Sequence, residues 1–121
     1  MYKKNKYAVV KNAVSKELSE FIYNYFKLKR KVAHTLYTDN FIKPNTCLLG
    51  IWNDPQAQNT YSHYSDIVME TLLIKLHSLI EKTTELDLYM NYSYARLYKQ
   101  GDILKRHKDR SSCEISTTLH K

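Results

Sequence analysis

Between residues 16 and 30, Leu18, Phe21, Ile22, Tyr25 and Phe26 recur at three- and four-residue spacing among charged and polar neighbours. That period matches one face of an α-helix, and Ser15 supplies a hydroxyl where the first turn needs an acceptor for its free N–H groups. The pattern predicts a helix over 16–30, with Lys27, Lys29, Arg30 and Lys31 placed to favour its C-terminal dipole. A second wide apolar face, Ile67, Val68, Leu72, Leu73, Leu76, Leu79 and Ile80, predicts a helix over 66–83 opened by Asp66. Residues 32–58 have weak periodicity and contain both prolines and the single tryptophan, Trp52, which predicts loop with short strands. After residue 86 the pattern changes. An aromatic and aliphatic run over 86–98 reads as strand, Gly101 and Asp102 as a turn, and 103–109 as a second short strand. Further strands are predicted at 7–10 and at 114–120, where Ile115, Thr117 and Leu119 alternate with Glu114, Ser116 and Thr118.

With 121 residues, 43% apolar and 26% charged, the chain has the composition of an ordinary globular domain, and a single domain over 1–121 is expected. Its basic start is followed by only four weakly apolar residues, so no secretory signal is read, and no apolar run approaches a membrane span. A cytoplasmic protein without membrane contact is therefore expected. Cys47 and Cys113 lack metal-finger spacing and read as reduced thiols. The net charge of +7 invites a nucleic-acid partner, but the cations are spread over three clusters. Only the third, Lys105, Arg106, Lys108 and Arg110, surrounds residues with chemistry of their own.

Those residues are His107 and Asp109. In an extended segment, positions i and i+2 point to one face, so an imidazole and a carboxylate can converge on one cation. Two histidines and one carboxylate with open positions suit a non-haem Fe(II) centre, and this pair supplies two of the three. The plain alternative is a solvated strand end carrying a surface His and Asp.

The segment Tyr94-Ala-Arg-Leu-Tyr98, with Gly101, Leu104, His107 and Asp109 following at fixed spacing and then Arg110-x-Ser-Cys-Glu-Ile-Ser, resembles the core of Fe(II)/2-oxoglutarate dioxygenases. It is most similar to the prolyl 4-hydroxylase-like members, including small ones encoded by bacteriophages, for which the compartment would be the host cytoplasm. The similarity extends upstream through Gly50-Ile-Trp-Asn-Asp-Pro and the second helix. The resemblance implies an α+β fold: a double-stranded β-helix, or jelly roll, with N-terminal supporting helices. It implies His107 and Asp109 as iron ligands and Tyr98 as a cosubstrate-binding phenol, with Fe(II) and 2-oxoglutarate required and ascorbate as a candidate accessory reductant. The implied reaction couples decarboxylation of 2-oxoglutarate to succinate with hydroxylation of a peptidyl residue, proline being favoured. Trp52, Tyr61 and Tyr64 are candidates for contact with that peptide.

The family's third ligand, a histidine on a later strand, and the Arg or Lys after it have no counterpart here. In a simple hairpin His120 would lie about 13 Å from the residue opposite His107, too far to share an ion. The expectation is therefore an N-terminal portion of a longer enzyme. Two other readings compete. An oxidative nucleic-acid demethylase shares the tyrosine to His-x-Asp spacing and would use the positive charge, although Arg96 stands where such enzymes carry asparagine. A non-catalytic basic interaction domain needs no third ligand.

Overall fold

The structure, a computed structural model, describes residues 2–120. Its elements run α1 (Tyr2–Asn5), α2 (Lys16–Thr38), β1 (Tyr61–Tyr64), α3 (Ile67–Thr84) and β2 (Tyr94–Leu97). The class is α+β, with a two-stranded antiparallel sheet and no jelly roll among the described residues.

The N terminus of α2 is set by Ser15, whose side chain accepts from the Leu18 N–H at 3.2 Å. The helix continues eight residues past the expected end, to Thr38. The cations at 27–31 do not stop it because Phe26, Ala33 and Tyr37 extend the apolar stripe onto the core, and all three are buried. Asp39 closes the helix with its N–H on the Thr35 carbonyl at 2.9 Å. α3 begins where the sequence places it. Asp66 is its N-cap, accepting from the Met69 N–H at 3.1 Å, and Glu85 ends it in the left-handed conformation with φ 59°.

β1 and β2 pair in the register Tyr61 with Leu97, Ser62 with Arg96, His63 with Ala95 and Tyr64 with Tyr94. On the other side of β1, Ile51 and Ser62 exchange both backbone hydrogen bonds, at 2.8 and 2.9 Å. The core lies between this ribbon and α2: Phe26, Ala33, Tyr37 and Tyr61, with Trp52, Leu49, Met69 and Leu97 packed around them. Trp52 stacks on Tyr61 at 4.8 Å between ring centroids and meets Tyr37 edge-on at 5.8 Å. Trp52 and Tyr61, expected as candidates to contact a substrate, are therefore core aromatics, and only Tyr64 of the three is well exposed.

Several expected strands do not form. Residues 7–10 have no ladder partner, and Tyr7 and Val9 are exposed. The strand expected over 86–98 is limited to its last third, since only Tyr94–Leu97 face β1. Residues 103–109 and 114–120, both expected as strands, have no neighbour to pair with, and a ladder requires one. Instead 103–109 is tied to the fold by one backbone hydrogen bond, from Lys105 N–H to the Gln56 carbonyl at 2.7 Å. The turn at 110–113 does form, with the Cys113 N–H on the Arg110 carbonyl at 2.9 Å.

The accessible surface totals 9525 Å². A folded monomer of this mass is expected to expose about 6,800 Å². Large apolar side chains contribute to the excess, among them Phe21, Leu28 and Val32 on the outer side of α2, and Ile67 and Ile74 on α3. No helix among the described residues is long and apolar enough to cross a membrane.

Candidate functional site

Three pieces of chain line a shallow, solvent-open cleft of about 400 Å³: the loop 51–56, the entry to β2 with Tyr92 and Tyr94, and the exposed residues 107–110. The loop is fixed by Asp54, whose Oδ1 accepts from the Gln56 N–H at 2.9 Å. Its Oδ2 receives the Tyr94 hydroxyl and the Arg96 guanidinium, the latter at 3.0 Å. Burial would raise the Asp54 carboxyl, but those donors and the Arg96 charge outweigh it and hold the group below the usual carboxylate range. The same bond, together with burial, pushes the Tyr94 phenol up to about 12. Asp54 and Tyr94 stand in the cleft wall, and Arg96 ties them together from behind it through one Nη2, its Nε buried without a partner among the described residues.

His107 and Asp109 meet in this cleft. His107 Nε2 lies 3.5 Å from Asp109 Oδ1, with the two side chains 26% and 51% exposed. His107 Nδ1 donates to the Lys105 carbonyl at 2.8 Å, so the neutral ring carries its lone pair on Nε2, the nitrogen facing the carboxylate. Asp109 Oδ2 accepts from the Ser116 hydroxyl at 2.9 Å, so the return after the 110–113 turn reaches the His107–Asp109 pair although no ladder forms. A nitrogen and an oxygen each about 2.1 Å from one ion are separated by about 3.0 Å at a right angle and about 3.4 Å near the tetrahedral angle. The observed 3.5 Å is close to the tetrahedral value and about 0.5 Å wider than the right angle of a six-coordinate site, so the two side chains would have to close slightly to share an Fe(II) ion. Among the described residues no third His, Cys, Asp or Glu joins His107 and Asp109 to make a group that could hold a metal ion. His120 is exposed and does not join.

Tyr98 lies one residue beyond β2, is 48% exposed and is not part of the cleft wall. Tyr92 and Tyr94 stand there instead. Tyr64 meets Tyr92 at 4.9 Å and Tyr94 at 6.4 Å between centroids, so the three rings form a partly exposed aromatic wall. The guanidinium of Arg110 lies over two of them, 4.9 Å from the Tyr92 centroid and 5.4 Å from that of Tyr64. Sequence reasoning singled out Arg110 only as one of four cations and Asp54 only as part of Gly50-Ile-Trp-Asn-Asp-Pro. Acidic and aromatic residues 40 positions apart that meet through β1–β2 pairing leave no local signal.

His63 is no ligand. It is buried, with Nε2 on the Cys47 carbonyl at 2.9 Å and Nδ1 against Lys29. His77 is held against the Leu88 carbonyl at 2.6 Å. No family model, curated protein or solved structure matches the chain.

Proposed function

We propose that this chain contributes the metal-binding wall of an Fe(II)- and 2-oxoglutarate-dependent oxygenase of the prolyl 4-hydroxylase-like kind, acting on a peptidyl residue with proline favoured. The observation that carries the reading is the 3.5 Å approach of His107 Nε2 to Asp109 Oδ1 inside a cleft, with the imidazole tautomer set by the Lys105 carbonyl. His107 and Asp109 would hold Fe(II), which supplies the oxidative chemistry when bound. The remaining work belongs to the chain. The Asp54, Tyr94 and Arg96 unit keeps the opposite wall in place, and the exposed Tyr64 and Tyr94 rings offer apolar faces to a peptide. The role of Tyr98 as the cosubstrate phenol rests on the resemblance alone, since it stands outside the cleft wall. Ascorbate would act as an external reductant.

Two protein ligands leave most of a coordination sphere to water, so the expected affinity is weak. Titration with Mn(II), followed by calorimetry, should show binding to the wild type that is lost in His107→Ala and in Asp109→Ala. Equal binding by all three proteins would remove the metal assignment.

The exposed cations Lys105, Arg106 and Lys108 beside the same cleft favour one competing reading, an oxidative nucleic-acid demethylase. Phosphate contacts make such binding fall steeply with salt. Binding of methylated single-stranded DNA that vanishes between low and physiological salt, and on neutralising those three residues, would favour it over a peptide.

A further inference from the structure

The outer side of α2 carries a pattern that the core does not use. Leu18, Phe21, Tyr25, Leu28, Val32 and Thr35 follow one another at alternating steps of three and four residues. That is the heptad seam of a coiled coil, about 25 Å long at the rise of an α-helix. Phe26, Ala33 and Tyr37, which face the core, lie on another face of the same helix. Phe21 and Leu28 are 67% and 62% exposed, and Val32 and Thr35 are exposed beside them. Tyr25 borders the seam, its hydroxyl held by Asp66 at 2.6 Å. No charged residue interrupts the seam. The exposed surface of the chain exceeds that of an ordinary monomer by about 2,700 Å², and a stable dimer needs only about 800 Å² from each partner.

The seam also offers a receptor for a side chain. Leu28, Lys31, Val32 and Thr35, the four-residue set that takes a knob in a coiled coil, line a groove of about 260 Å³ together with Leu36. A second α2 laid antiparallel, with a two-fold axis between positions 26 and 27, sets Phe21 of that copy opposite Val32 and so over the groove. The same register sets Leu18 opposite Thr35 and Tyr25 opposite Leu28. The axis repeats every contact, so both grooves are filled, as a closed two-fold interface requires. Charge selects the same direction. Glu17 and Glu20 flank the seam near its N-terminal end, and Lys31 flanks the same side near its C-terminal end, all three exposed. Antiparallel pairing places Lys31 opposite position 22 of the other copy, within side-chain reach of Glu20 and, about a turn further, Glu17. Parallel pairing would gather the acidic ends together and the basic ends together, which like charges oppose.

We propose that α2 pairs with α2 of a second copy, antiparallel and two-fold, with Phe21 of each chain seated in the Leu28–Thr35 groove of the other. The pairing goes beyond the oxygenase reading and is independent of it, since it uses no residue of the His107–Asp109 cleft.

The test is sedimentation equilibrium of the full chain over the micromolar range at low salt. The mass should rise from that of one chain to that of two and stop there. Leu28→Glu, a charge placed in the seam at an exposed position, should weaken association about a hundredfold or more while the far-UV circular dichroism of the monomer stays unchanged. Phe21→Ala removes the knob without adding charge and should weaken it about tenfold or more. Lys31→Glu sets like charges together and should weaken it roughly threefold, an effect that salt reduces. Adding Glu17→Lys and Glu20→Lys to Lys31→Glu reverses every pair and should restore the wild-type affinity. The mass of one chain at every concentration would overturn the proposal and leave the seam to a partner other than this chain. Association unchanged by both Leu28→Glu and Phe21→Ala, or growth past two chains, would place the contact on another surface and overturn it as well. A triple variant no tighter than Lys31→Glu alone would remove the antiparallel arrangement.

Discussion

Asp66 carries more of the fold than any other single carboxylate. One oxygen caps α3, while the other receives the Tyr25 hydroxyl at 2.6 Å and the Lys29 ammonium from α2. Its side chain is 1% exposed and that of Lys29 12%. Burial would raise the carboxyl, but the bonds from Lys29, Tyr25 and the Met69 N–H and the Lys29 charge prevail and hold it below its ordinary value. A depressed carboxylate contributes stability that is present above its unfolded value, near pH 4, and is lost as pH falls through the lower folded value. Asp66→Asn leaves Lys29 buried without its counter-charge, at a cost of about 3 to 5 kcal/mol. Urea unfolding at pH 7 should show that loss, and the gap between variant and wild type should narrow as pH drops below 4. A gap independent of pH would mean that the ion pair contributes nothing. The capping half of this residue was legible in sequence, because a helix start is local. Its second oxygen was not, since Lys29 and Tyr25 stand 37 and 41 positions away. His107 and Asp109 were legible for the same reason as the cap: two positions apart, they needed only a locally extended chain to meet.

Both long helices could be read from their apolar period, and α2 shows where the reading stopped short. The cations at 27–31 looked like a C terminus, yet Phe26, Ala33 and Tyr37 continue one face at spacings of seven and four. Strands were less legible because alternation states only that a segment could pair. Residues 114–120 alternate and find no neighbour, whereas β1, Tyr61–Tyr64, has a nearly continuous buried run and pairs on both sides. The element that holds β1 in place is the hairpin-like approach of residues 46–51. Tyr61 donates its hydroxyl to the Leu49 carbonyl, and Tyr37 donates to that of Gly50 at 2.8 Å. Gly50 has φ +114°, and a Cβ there would stand 2.6 Å from the Tyr61 ring. Gly50→Ala is therefore expected to cost about 3 kcal/mol, combining an unfavourable backbone region with a clash against a buried ring. Tyr61→Phe with Gly50→Ala should not recover it, since the nearest ring carbon remains. Chemical denaturation of the three proteins checks both statements.

At the scale of the whole molecule, the jelly roll implied by resemblance would need many more paired strands than β1 and β2. The chain instead leaves its expected strands at 103–109 and 114–120 unpaired and its helices apolar on the outside. That was not legible in sequence, because composition reports how much apolar surface a chain has and not how much of it finds cover. The consequence is calorimetric. An unfolded chain of this mass exposes about 21,000 Å², so an ordinary fold would remove about 14,000 Å² from water. This one, with 9525 Å² still exposed, removes only about 11,000 Å². Heat capacity of unfolding scales with newly wetted surface, so it should be about a fifth below the usual figure, roughly 1.3 rather than 1.6 kcal/mol/K. Denaturant sensitivity should shrink in proportion. Scanning calorimetry on dilute protein over a range of pH gives the number directly, and an ordinary value would show that the outer faces of α2 and α3 are covered in solution. With about a fifth less surface newly wetted on unfolding, the protein's stability curve would be correspondingly flatter, so cooling or warming away from its optimum would cost it less than an ordinary fold of the same size.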